Sequence, residues 1–230
     1  MYGYFLKIKA KYRKGGNMSE VDLIYKAGIT TDNVPLLGQW EFPPILGTND
    51  IPESLMGFNY CLSDKGNGYN NTIHFYLDDY QFERLWNQPD KYIPILARYR
   101  SCLTPDFSLF RDTPLAIQIY SVFKSRLLGY LMEQQGIKVI PTLQWADYKS
   151  HEWVFDGLPQ HKVYSVSTVG VERDKPAYLL WKIGMKEALR HVKPSHLIVY
   201  GNDIGFDFKD IPVTFIRPTG RFQQKKEGVE

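Results

Sequence analysis

Residues 114–143 read PLAIQIYSVFKSRLLGYLMEQQGIKVIPTL. Pro114 opens the stretch at the first helical position, where a missing N–H costs nothing. Leu115, Ile119, Val122, Phe123, Leu127, Tyr130 and Leu131 recur at helical spacing and make one apolar face. Asp112 or Thr113 is placed to cap the helix, and Gly136 follows its last turn. Ile137–Leu143 then reads as a strand. A helix over 114–135 that feeds straight into a strand is the repeating unit of an α/β protein.

The same alternation extends in both directions. Ile73–Leu77, Ser101–Thr104, Lys162–Val166, Ser195–Tyr200 and Pro212–Ile216 read as further strands. Helical stretches lie between them: one through Trp86, one from Pro89 to about Tyr99, and one over 176–192 with Leu179, Leu180, Ile183 and Leu189 as its buried side. Short links between alternating strands and helices predict an α/β fold with a mostly parallel sheet, because parallel strands need a crossover. Periodicity leaves two forms open, an open doubly wound sheet and an incomplete barrel. Residues 18–72 carry Pro35, Pro43, Pro44 and Pro52 and read as an irregular entry segment, with a short helix near Val21–Lys26. The α/β core is expected over 73–216.

Charge is unevenly placed. The net charge is +3, but Lys7, Lys9, Lys11, Arg13 and Lys14 crowd residues 1–17, and Arg217, Arg221, Lys225 and Lys226 lie in the tail 217–230. The body between is mildly acidic. Basic ends can hold phosphate backbones, and they also serve simply as solvated termini. Lys14-Gly15-Gly16 just upstream of Met18 has the look of a translated ribosome-binding sequence, so Met18 is an alternative start and 1–17 is then an extension outside the native protein. Cys61 and Cys102 form no metal or redox spacing, and no apolar run reaches the roughly 20 residues of a membrane span. The expectation is a cytoplasmic protein without a membrane partner.

In either architecture ligands bind at the carboxyl ends of the strands. The chain delivers Asp78 and Asp79 there, then Thr104, Asp106 and Ser108, then Thr142, Gln144, Trp145 and Asp147, then Ser167, Thr168 and Gly170, then Tyr200, Gly201, Asn202 and Asp203. Capping accounts for some of these: Asp79 suits the helix that follows it, and Asp203 beside Gly205 suits a turn. Asp106 lies too far from the Pro114 helix to cap it. Trp145 and Asp147 precede no strong helix, and Gly170 allows close backbone approach in its loop. There is no HExxH, EF-hand, GxSxG, Walker or GxGxxG pattern.

The chemistry left is that of carboxylates with hydroxyls. Asp78, Asp106 and Asp147 are the candidate catalytic residues. They could act as acid and base, or hold Mg²⁺ or Mn²⁺ in a metal-assisted hydrolase. Trp145 would stack on a phosphate-bearing or nucleotide-like substrate, and Ser167, Thr168 and Gly170 would bind its anionic group. The alternative is a non-catalytic accessory factor in replication or host interaction that binds nucleic acid or a host protein.

Five stretches, HFYLDDYQFERLW at 74–86, LTPDFSLFRDTPLAIQIY at 103–120, GIKVIPTLQW at 136–145, FDGLP at 155–159 and VSTVG at 166–170, occur in the order of a known family. Over about Pro35 to Val213 the chain resembles a domain of unknown function, family forty-four-seventeen, common on bacteriophages and other mobile elements. The resemblance implies a mobile-element accessory role and carries no catalytic residues with it.

Overall fold

A computed structural model of the protein describes residues 34–171 and 174–218. The strands are β1 (Leu55–Gly57), β2 (Thr72–His74), β3 (Ser101–Leu103), β4 (Val139–Ile140), β5 (Val163–Ser167), β6 (His196–Tyr200) and β7 (Val213–Ile216). The helices are α1 (Phe58–Cys61), α2 (Asp79–Asn87), α3 (Pro89–Leu96), α4 (Leu115–Gln134) and α5 (Lys175–Val192), with a 3-10 turn at Tyr148–Glu152.

Every strand pairing is parallel. One sheet runs β1-β2-β3-β4 and the other β5-β6-β7. A parallel bridge between Thr142 and Ser165 links them. There Leu143 N donates to Ser165 O at 2.7 Å and Ser165 N to Pro141 O at 3.0 Å. Neighbours in space are therefore neighbours in the chain throughout.

That order decides the architecture. A doubly wound sheet reverses its strand order at a switch point, and no reversal occurs here. Right-handed crossovers between strands that always advance the same way leave the helices on one face. The other face must then cover itself by curling. In a flat sheet, at about 4.8 Å per strand, β2 and β6 would lie about 19 Å apart. Instead Tyr76, just past β2, stacks on Tyr200 of β6 with ring centroids 4.7 Å apart. Its hydroxyl lies 2.7 Å from Ser165 Oγ of β5, and the His74 ring is 4.8 Å from Tyr200. The fold is an incomplete parallel barrel, with no pairing of β7 to β1 among the described residues.

Strands buried on both faces explain the near-continuous apolar runs. Leu55, Ile73, Cys102, Ile140, Val163 and Ile198 belong to one core. Tyr164, Val166, Leu197 and Val199 belong to another, with Trp181, Met185, Ala188 and Val192 of α5. The amino ends of the strands are closed by residues 45–50. Val163 N donates to Thr48 O at 3.0 Å. Glu133 accepts from Leu46 N and Gly47 N, both at 2.9 Å, and Asp50 pairs with Arg100 at 2.9 Å and Lys138 at 3.3 Å. The carboxyl ends stay open.

Several expectations are corrected. The segment read as irregular supplies β1, an edge strand of the sheet. The helix expected near Val21–Lys26 lies outside the described residues. On α4, Leu115 is 51% exposed, and the buried stripe is Gln118, Ser121, Val122, Ser125, Arg126, Leu128, Gly129 and Met132 with Leu127 beside it. Neither Asp112 nor Thr113 caps it: Pro114 is the N-cap residue, and the Gln118 amide donates to Phe110 O and Thr113 O. On α5 the buried side is Trp181, Gly184, Met185, Ala188 and Val192, while Leu179 and Ile183 face out.

Candidate functional site

A cavity of about 520 Å³ opens at the carboxyl ends of the strands, within the range of small-molecule sites. Five strand exits and α5 contribute to its wall.

The LTPDFS stretch at 103–108 brings Asp106 to this cavity and is held at both ends. Thr104 Oγ1 accepts from Thr142 N at 2.9 Å, and Thr142 Oγ1 donates to Thr104 O at 3.0 Å. Beyond Asp106, the carboxylate of Asp79 accepts from Ser108 N at 3.2 Å and Ser108 Oγ at 2.9 Å. Phe107 is buried against Phe82, centroids 5.1 Å apart. The Asp106 carboxyl takes no hydrogen bond among the described residues, and a carboxylate without donors is poorly stabilised. Burial, and then the nearby charge of Asp79, push its pKa up to about 7.

Tyr76 stands beside it. Burial first, then the Asp106 charge, raise the Tyr76 phenol well above its usual range, so the hydroxyl stays protonated and bonded to Ser165. His74 lies beneath the tyrosine pair, fully buried. Its Nδ1 accepts from Tyr76 N at 3.2 Å, which leaves the proton of a neutral ring on Nε2.

Gln144 and Trp145 follow β4. Gln144 Oε1 is buried and has no hydrogen-bond partner among the described residues, which is costly in a protein interior. Trp145 lies flat on Gly184 of α5, where a Cβ would come within 2.2 Å of the indole Nε1. Trp181 stands next to it, centroids 6.1 Å apart, and donates its Nε1–H to Ser167 O at 2.8 Å. Ser167 Oγ accepts from Val169 N at 3.1 Å.

The structure thus brings together Asp78, Asp106, Trp145 and Ser167 of the residues singled out from sequence. It does not bring the other three. Asp147 caps the 3-10 turn, accepting from Lys149 N at 3.0 Å and Ser150 N at 3.3 Å. Thr168 is buried and donates to Asn202 O at 2.8 Å. Gly170 has φ +80° with open space where a side chain would be, so its glycine serves the backbone conformation and not a close approach. The expected three-carboxylate metal site is not assembled. Among the described residues no three His, Cys, Asp or Glu side chains gather to hold an ion such as Mg²⁺ or Mn²⁺. Cys61 and Cys102 are buried and unbridged, and burial raises the Cys61 thiol to about 12. The basic residues of 1–17 and those beyond Pro218 lie outside the described residues.

Gln144 and Tyr200, placed at the strand ends by the sequence but given no role there, join the site, as do Tyr76 and Trp181, which the sequence did not mark. The i, i+2 relation of His74 to Tyr76 and of Ile198 to Tyr200 signals shared strand faces. Trp181 is marked only by its four-residue spacing to Met185 and, in turn, to Leu189.

A family model described as a domain of unknown function (DUF4417) matches residues 34–217. The Gene 1 protein of Mycobacterium phage D29 is 32% identical over 199 residues, covering 84% of this chain and 72% of that protein. The Gene 1 protein of Mycobacterium phage L5 is 32% identical over 186 residues, covering 78% and 79%. No solved structure matches. No helix among the described residues is long and apolar enough to cross a membrane.

Proposed function

The chain belongs to the DUF4417 family, with relatives in mycobacteriophages, and from that premise we propose that it is an acid–base enzyme acting on a nucleotide-like substrate. Asp106 is the group that gives and takes the proton. The observation that carries this reading is the Asp106 carboxyl, raised to about 7 by burial and by Asp79, on the wall of the strand-end cavity. A carboxyl that titrates near neutrality holds both protonation states at working pH, as proton transfer in either direction requires. The pinned loop on both sides fixes where that proton is offered. Asp78 lines the same cavity from its exposed rim, Trp145 offers a stacking face, and the protonated Tyr76 hydroxyl lies beside the reacting carboxyl.

A screen of nucleosides, their phosphates and short oligonucleotides for turnover, followed by mass spectrometry, tests this. The expected result is turnover by the wild type that Asp106→Asn slows by about 100-fold or more, with unchanged circular dichroism. Asp147→Asn should retain wild-type rates. No turnover of any of these compounds, or equal rates from Asp106→Asn, would contradict the proposal.

A further inference from the structure

Resting on that reading, we infer that the cavity receives the base of a nucleotide-like ligand, an uncharged planar ring with hydrogen-bonding edges, and keeps phosphate outside. Three independent features point the same way.

The first is charge. Among the described residues none lining the cavity is Lys, Arg or His, whereas Asp78 and Asp106 both line it. Asp79 stands just behind, bonded to Ser108. A phosphate entering here would meet carboxylates, and among the described residues the Lys124 ammonium sits behind, on the Phe107 ring 3.8 Å from its centroid, an arrangement that disfavours anions. The backbone N–H of Val169, which could have offered a donor, is already taken by Ser167 Oγ.

The second is shape. Four of the lining residues carry flat rings: Tyr76 and Tyr200 lie nearly parallel, 18° between planes, and Trp145 and Trp181 stand together with centroids 6.1 Å apart. Trp145 is seated against Gly184 with no room for even one carbon between them, so its face is presented in a fixed place. Preset aromatic faces favour planar ligands because every ring has a face to stack.

The third is the unmet hydrogen bond. Gln144 lines the cavity, and its Oε1, just beneath the wall, is buried without a partner among the described residues. A ring N–H would satisfy it, and an amide read the other way round offers a donor to a ring nitrogen or carbonyl. With Asp106 as the second polar group, the wall holds two groups able to read a base edge and, among the described residues, no cation to pair with a phosphate.

Isothermal titration at pH 6 with the four ribonucleosides, their 5′-monophosphates and sodium phosphate tests the inference on the full chain. At least one nucleoside should bind, at least tenfold tighter than its monophosphate, and sodium phosphate should give no heat. Gln144→Ala should weaken that nucleoside about tenfold or more while its melting temperature and its turnover-independent circular dichroism match the wild type. Tighter binding of a monophosphate than of its nucleoside, binding of inorganic phosphate, absence of any nucleoside binding, or wild-type affinity in Gln144→Ala would each overturn it. These failures differ from failure of the acid–base reading. If Asp106→Asn abolishes turnover of a nucleotide or oligonucleotide whose free nucleosides do not bind, the enzyme stands and only the base assignment falls.

Discussion

Asp147 accepts two backbone hydrogen bonds, whereas Asp106 accepts none among the described residues and has its pKa raised to about 7. Both are acids just past a strand, and the sequence shows them alike. What separates them is whether N–H groups turn toward the carboxylate, and that depends on a 3-10 turn and a proline-led loop that periodicity does not register. Replacing Asp147 by Ala should cost about 1 kcal/mol, as for other lost caps, and lower the melting temperature by about 2–4 °C without changing ligand affinity. Asp106 should behave oppositely. Its pKa is higher in the folded than in the unfolded chain, so its contribution to stability is complete below about pH 4 and is lost as pH rises through about 7. Asp106→Asn removes that loss: denaturant melts should show the variant more stable than wild type at pH 8, by about 1–3 kcal/mol, and the difference shrinking at pH 5. Equal pH slopes for the two proteins would refute this assignment.

Helices α4 and α5 were legible as helices but not in their rotation. On α4 the buried stripe is built from Ser121, Ser125 and Gly129 as well as Val122 and Leu128. Small residues let the helix sit close to the strands. A search for large apolar side chains therefore finds Val122 and Leu127, with Ile119, Phe123 and Leu131 packed at the edge of the core, but misses the small residues among them and takes in Leu115, which faces solvent. Gly129 shows how tight the contact is, since a Cβ there would lie 2.6 Å from Ile45 Cδ1. β1 went unread because it lies in a stretch punctuated by Pro43, Pro44, Pro52 and Gly57, whose turn signals mask a short strand. Gly184 ties element packing to the site. Alanine normally favours a helix over glycine by about 1 kcal/mol, yet here the added carbon meets the Trp145 indole. Gly184→Ala should therefore destabilise by about 1–3 kcal/mol, shift the tryptophan emission, and weaken ligand binding. A variant more stable than wild type with unchanged fluorescence would show that Trp145 is not fixed by this contact.

The whole molecule divides its two ends between stability and chemistry, as parallel barrels do. Alternation of strands and helices made the parallel sheet readable. Strand order was not readable, because chain sequence and spatial sequence coincide only once the crossovers are known. The curl rests on contacts such as Tyr76 to Ser165, between residues far apart in the chain. At the closed end Asp50 is held below the usual carboxylate range, chiefly by its hydrogen bonds to Arg100. Arg100→Ala should cost about 1 kcal/mol above pH 5, a partly exposed pair being worth no more. The cost should fade as acid protonates Asp50, and the distant cavity should keep its affinity.

All of these scales meet in one strand-end carboxyl, Asp106, with its pKa raised toward neutrality. Carboxyl ¹³C NMR titration, with the Asp106 resonance assigned by its loss in Asp106→Asn, reads it directly. The expected midpoint for Asp106 is about 7; a midpoint near the ordinary aspartate value of about 4 would overturn the assignment.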